Sequence, residues 1–199
     1  MQLRRTLLCG ALVLALLATV AVEPSSASTL IRQSLERLVA GNATIVVGQV
    51  LDSHSYWNDE GTFILTDLRI KATDVLKGSP KDTDFTVTLM GGSVGDLTTL
   101  IVGGAELVPG KPYVLFLNEG DLPGVQDVRT VRDHSQGVFE VMKARDGLRA
   151  ISQANRHPLY PDALGFVDPP GGAKGFLLDD MVSSIREMVD RQGARQEVK

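Results

Sequence analysis

The chain contains three histidines, His54, His134 and His157, and one cysteine, Cys9. The histidines lie far apart, and none stands in an HxH, HxxxH or HExxH arrangement. Zinc catalysis needs about three ligands and an open coordination position, so any such centre would have to be gathered from distant loops. His134 stands between Asp133 and Ser135, an acid, a base and a hydroxyl side by side. A Ser-His-Asp triad is assembled from residues distant in sequence and aimed by the fold, and three neighbours in one loop do not readily converge on one atom. A hydrolytic reading therefore needs His134 and Asp133 with a serine from elsewhere. Gly91-Gly92-Ser93-Val94-Gly95 has the glycine density of a phosphate cradle. A P-loop, however, continues into Lys and Ser or Thr at the start of a helix, and Asp96-Leu97-Thr98 supplies neither. The string reads instead as a tight turn or bulge where glycine permits positive φ, with exposed amides able to meet an anion or a partner backbone. Asp59-Glu60 and Asp179-Asp180 lack the alternating spacing of a calcium loop and read as turn and helix-start residues. Asn42-Ala43-Thr44 matches a glycosylation sequon, which matters only in a host that glycosylates exported proteins.

The most suggestive group is aromatic. His54, Tyr56 and Trp57, the only tryptophan, fall in a polar stretch, His54 to Gly61, between two strand-like runs. Trp and Tyr are common anchors at binding surfaces. Two readings stand: Trp57 folds back over one mouth of a barrel, or the stretch is a recognition loop for a protein or a glycan.

These residues need a scaffold, and the hydrophobic pattern describes one. Ser28 or Thr29 can cap a short amphipathic helix carrying Ile31, Leu35 and Leu38 and ended by Gly41-Asn42. The period then changes to two. Ala43 to Leu51 is an almost continuous apolar run, as expected of a strand buried on both faces. Ile64, Leu68, Ile70 and Ala72 share one face of a second strand, with Asp67, Arg69, Lys71 and Thr73 opposite, and Lys77-Gly78-Ser79-Pro80 turns the chain. Phe85, Val87 and Leu89 alternate with Thr86 and Thr88 in a third strand. Leu100 to Val102 reads as a short fourth, and Tyr113 to Leu117, after the Pro109-Gly110-Lys111 turn, as a wholly apolar fifth. Gly120 to Gly124 reads as a loop, and Val138 to Met142 with Leu148 to Ile151 as a late hairpin. Asn155 to Lys174, rich in Pro and Gly, reads as an irregular connection. A closing helix carries Leu178, Met181, Val182, Ile185, Met188 and Val189 in one stripe, with Gly193 near its end.

No helical pattern interrupts the strands between residues 43 and 151, which excludes βαβ crossovers. The expected fold is mainly β: a small antiparallel OB-like barrel or sandwich of about five to seven strands, flanked by an amino-terminal and a carboxyl-terminal amphipathic helix.

Arg4 and Arg5, the apolar run Leu7 to Val22, the Glu23-Pro24 break and Ser25-Ser26-Ala27 have the order of a secretory signal cleaved after Ala27. Arg-Arg-Thr-Leu-Leu (4–8) leaves a twin-arginine export route open beside the general one. Residues 1–27 are therefore expected to be a signal peptide, 28–192 a single domain, and 193–199 a frayed tail. Cys9 lies inside the leader, so the exported form would carry no thiol: no disulfide, no thiolate metal site and no cysteine nucleophile. Lys and Arg number 20 against 24 Asp and Glu, and the acidic excess grows once Arg4, Arg5 and Glu23 are removed. With no basic stripe, nucleic acid and anionic lipid are not expected partners.

A resemblance runs through these residues. Ala43-Thr44-Ile45-Val46-Val47-Gly48-Gln49-Val50, the tryptophan stretch and Thr62-Phe63-Ile64-Leu65-Thr66 are followed by Val75-Leu76-Lys77-Gly78, then by Gly91-Gly92-Ser93-Val94-Gly95. Gly110-Lys111-Pro112-Tyr113-Val114-Leu115-Phe116-Leu117 closes the series. The ordered set, over roughly residues 37–142, resembles a group of bacterial exported proteins whose pattern is similar to the OB-type barrel of tissue inhibitors of metalloproteinases and netrin-like modules. The resemblance implies the barrel. It does not bring the inhibitory device, a mature amino-terminal cysteine held by disulfides, because Ser28-Thr29-Leu30 and a cysteine-free domain stand here instead. Fold analogy is a weak warrant for function.

The expectation is thus an exported, secreted or periplasmic, non-enzymatic binding domain, with His54, Tyr56, Trp57, Gly91, Gly92, Ser93 and Gly95 as its contact residues. No cofactor and no metal are expected. A protein partner, such as an extracytoplasmic protease, is expected, and no stable membrane insertion after cleavage. A structural envelope component without a discrete ligand and an exported hydrolase using His134 are the alternatives.

Overall fold

The structure, a computed structural model, describes residues 31–131, 134–156, 172 and 174–197. The expected leader and its cleavage site, the cap at Ser28 or Thr29, Arg132, Asp133, His157 and most of the Asn155–Lys174 connection lie outside the described residues.

Among the described residues antiparallel β structure dominates, with two α-helices, as the pattern predicts. Strands β1 (Thr44–Trp57), β2 (Ile64–Lys77), β3 (Asp84–Met90), β4 (Gly92–Val94), β5 (Leu97–Thr99), β6 (Pro112–Leu122), β7 (Val125–Val131), β8 (Val138–Ala144), β9 (Gly147–Ser152) and β10 (Phe176–Leu177) lie between helices α1 (Leu35–Gly41) and α2 (Leu178–Glu197). Eight strands form one sheet in the order β10-β9-β8-β6-β1-β2-β3, with β7 also paired to β6, while β4 and β5 pair only with each other.

The apolar runs explain the layering. In β1, Ile45 packs under the helices and its neighbour Val46 packs on the opposite side of the sheet; in β6, Val114 and Phe116 face the first cluster and Tyr113, Leu115 and Leu117 the second. A strand covered on both faces has no polar period to show. On β2, Leu68, Ile70 and Ala72 lie in the second cluster, as their alternation requires. The closing helix places Met181 and Ile185, both fully buried, in one cluster with Phe139, Val141 and Ala150. Each such side chain contributes roughly 1.5–3 kcal/mol before ordering entropy.

Several expectations are corrected. The sheet is not closed into a barrel, and the ten strands among the described residues exceed the expected five to seven. β7 lies against β3 without forming a ladder to it, and Leu107 and Ala105, from the segment before β6, pack into the second cluster beside this seam. Gly120 to Gly124 is not a loop: β6 runs through Leu122 and turns tightly into β7. Leu100 to Val102 is not a strand, and the preceding residues form the β4–β5 hairpin instead. α1 starts at Leu35 with Ser34 as its cap, accepting from the Arg37 amide, so Ile31 lies outside it and is exposed. Gly193 does not end α2, which continues to Glu197.

Candidate functional site

β1 and β2 pair along their full length and extend well past the part of β1 that pairs with β6. This projecting ribbon carries the aromatic residues. His54 to Trp57 are strand, not loop; the connection is shorter, Asn58 to Phe63. Asn58 is buried at its centre. Its Oδ1 accepts the Thr62 and Phe63 amides at 2.9 Å each, and its Nδ2 donates to Pro123 O at 3.2 Å, tying this connection to the β6–β7 turn.

The pleat then divides the candidate residues, because successive side chains of a strand point to opposite faces. On one face His54, Asp67 and Thr88 form a cross-strand row. Thr88 Oγ1 donates to Asp67 Oδ1 at 2.7 Å, Tyr56 Oη donates to the same oxygen at 3.3 Å, and the His54 ring stacks on Tyr56 at 6.1 Å. Partial burial, then the Asp67 charge, pushes the Tyr56 phenol above its ordinary value, so it stays a donor.

Ser55 and Trp57 occupy the other face, and there the glycine string meets the ribbon. Thr66 Oγ1 donates to Gly91 O at 2.6 Å, so the 2.8 Å contact between Ser55 and Thr66 must carry the Ser55 proton. The Gly91 amide donates to Ile64 O at 2.8 Å, and Ile64 pairs with Trp57, which sets Trp57, Ile64 and Gly91 in one row. Gly92 has φ +131°, and a Cβ there would collide with Thr66 Oγ1 and stand 2.5 Å from Ser55 Oγ. Glycine is required for β4 to lie this close. Gly95, at φ +59°, is the first central residue of the two-residue β4–β5 turn, the position that a type II′ turn reserves for glycine. Ser93 Oγ and Thr98 Oγ1 lie 2.7 Å apart across the hairpin.

The structure therefore sets Gly91 in the row of Trp57 and Gly92 against the Ser55–Thr66 pair, carries Ser93 and Gly95 on the hairpin that follows, and leaves His54 and Tyr56 on the opposite face. It adds residues that the sequence reading missed. Leu97, Leu100 and Val102 are 60%, 80% and 85% exposed, and Trp57 is 39% exposed. Of these, Leu100 lines a cleft of about 340 Å³ together with Thr66, Leu68, Leu89, Ile101 and Leu107. The one available signal was the Leu100-Ile101-Val102 run beside Gly103-Gly104, which has no alternation to assign it a face.

The remaining candidate residues lie elsewhere. His134 has φ +58° and lines a cavity of about 110 Å³ with Leu89, Ile101 and Val131, while Ser135 is buried with its amide on Gly103 O. Asp59 and Glu60 border an open concavity with Asp121 and Gln126. Among the described residues no three His, Cys, Asp or Glu side chains are grouped to hold a metal ion, and no helix is long and apolar enough to cross a membrane. A scan against protein-family models and a search of curated proteins return no match to this chain.

Proposed function

We propose that this chain is an exported, non-enzymatic binding domain that contacts a protein partner through the end of the molecule where Trp57 meets the β4–β5 hairpin. The observation that carries the reading is the exposure of three apolar side chains within six residues, Leu97, Leu100 and Val102, of which Leu100 lines a mainly apolar cleft. Large apolar side chains exposed this close together in the chain favour an interaction site over a solvated surface. Trp57 contributes the rigid aromatic area typical of interface anchors. A module acting on an extracytoplasmic protease is a narrower form of the same reading; the OB-like likeness supports it only as an analogy, with the seam between β3 and β7 open.

Affinity capture from the native envelope tests the proposal, using the exported chain and a Leu100→Ser/Val102→Ser variant side by side. A protein held by the native chain and lost with the variant is the expected result. Equal capture by both would remove the surface from consideration. Intact mass checks export separately: the secreted form should begin at or near Ser28, and a retained Leu7–Val22 run would contradict it.

A further inference from the structure

The β4–β5 hairpin has an unused edge. β5 pairs only with β4, in the register Gly92↔Thr99, Ser93↔Thr98 and Val94↔Leu97. In a two-residue hairpin the closing pair, here Val94 and Leu97, exchanges the first hydrogen bonds, and bonded and non-bonded pairs then alternate. Thr98 therefore turns its N–H and C=O away from β4, toward solvent, and its residue is exposed. Natural sheets blunt such edges with Lys, Pro, bulges or a covering element. Residues 91–108 contain no Lys, Arg or Pro, and the chain beyond β5 carries the exposed Leu100 and Val102.

Three segments joined at this end carry charge of one sign. Segments 57–63, 91–108 and 120–128 meet at this end: Asn58 bonds Pro123 O, Gly91 bonds Ile64 O, and Leu122 shares a cavity with Met90 and Ile101. They contribute Asp59, Glu60, Asp96, Glu106, Asp121 and Asp127 and not one Lys or Arg. Resting on the binding-domain reading above, we propose that the outer edge of β5 accepts an extended segment of a partner protein as an added strand, apolar in its centre and flanked by Lys or Arg. The Thr98 amide and carbonyl supply the main-chain bonds, and alternate side chains of the guest lie over Leu97 and Leu100 and toward the cleft. The flanking cations answer the acidic rim. A second copy of this chain is disfavoured as the guest, since edge-to-edge pairing would set two acidic rims against each other.

The test uses the full exported chain and synthetic octapeptides that alternate Val and Thr, one ended by Lys at both termini and one by Glu. Binding is read from the fluorescence of Trp57 and from the Thr98 amide resonance. The Lys-ended peptide should bind, more weakly as salt rises, and the Glu-ended peptide should bind at least about tenfold more weakly. Thr98→Pro removes the outward N–H without taking a bond from the hairpin, and should weaken the Lys-ended peptide about tenfold or more. Thr98→Val, which loses the same hydroxyl but keeps the amide, should bind as the native chain does. Undiminished binding by Thr98→Pro, equal binding of the Glu-ended peptide, or no binding of either peptide would overturn the strand-addition proposal. Self-association of the native chain that Thr98→Pro abolishes would overturn it too, in favour of a second copy. In each case a partner capture still lost with Leu100→Ser/Val102→Ser would leave the binding-domain reading standing.

Discussion

The Arg129 guanidinium on β7 lies 4.6 Å from the centre of the Phe85 ring on β3. This contact spans the seam where the two strands meet without a ladder, so a side chain performs the bridging that backbone hydrogen bonds perform elsewhere in the sheet. Arg129 also approaches Glu119 at 3.8 Å, but Glu119 is 73% exposed, and such a pair contributes little. Replacing Arg129 by Ala should cost about 1 kcal/mol in urea unfolding through the lost cation–ring contact, while Glu119→Gln should change stability negligibly. The reverse ranking would show that the seam is held by charge pairing.

The two hairpin glycines should respond differently to a methyl group. At Gly92 a Cβ overlaps Thr66 and Ser55 and the backbone sits at φ +131°; at Gly95 nothing lies within 4 Å and φ is +59°. Gly92→Ala should cost about 2–4 kcal/mol from backbone strain and overlap together, against about 1 kcal/mol for Gly95→Ala. Chemical denaturation of both variants decides the point, and equal costs would mean that β4 does not pack on the Ser55–Thr66 pair.

α2 is bound to the sheet by its stripe, and Ile185 at its centre has no exposed surface. Ile185→Asp places a carboxylate among Phe139, Val141 and Met181 and should remove on the order of 2–4 kcal/mol. Unchanged stability of this variant would mean that the helix docks on something other than its own sheet.

The Tyr56 phenol is raised from 10.0 by burial first and by Asp67 second. Folding favours the neutral phenol, so its contribution is complete below pH 10.0 and is lost as pH climbs from there toward the higher folded value. Ultraviolet titration of the native chain against Tyr56→Phe isolates this group from the other tyrosines. In Asp67→Asn the Tyr56 titration should move back toward 10.0 without reaching it, because the burial remains. A titration that does not move would contradict the Tyr56–Asp67 bond.

Much of the scaffold was legible in the chain. Alternation at Ile64, Leu68, Ile70 and Ala72 assigned a buried face to β2, because a half-covered strand must repeat with period two. The unbroken apolar run Tyr113 to Leu117 announced a strand covered on both sides, and the stripe from Leu178 to Val189 a helix that docks. These are local rules, so local sequence is enough. Tertiary structure decided what depends on which element covers which. Gly120 to Gly124 reads as a loop until β6 and β7 pair through it, and His54 and Trp57 read as neighbours until the pleat sends them to opposite faces. Leu100 and Val102 are apolar in any reading, yet their exposure follows from distant strands that lie elsewhere and leave them uncovered. Exposure is a property of the assembled layers, and that is why the candidate contact surface became visible only in the fold.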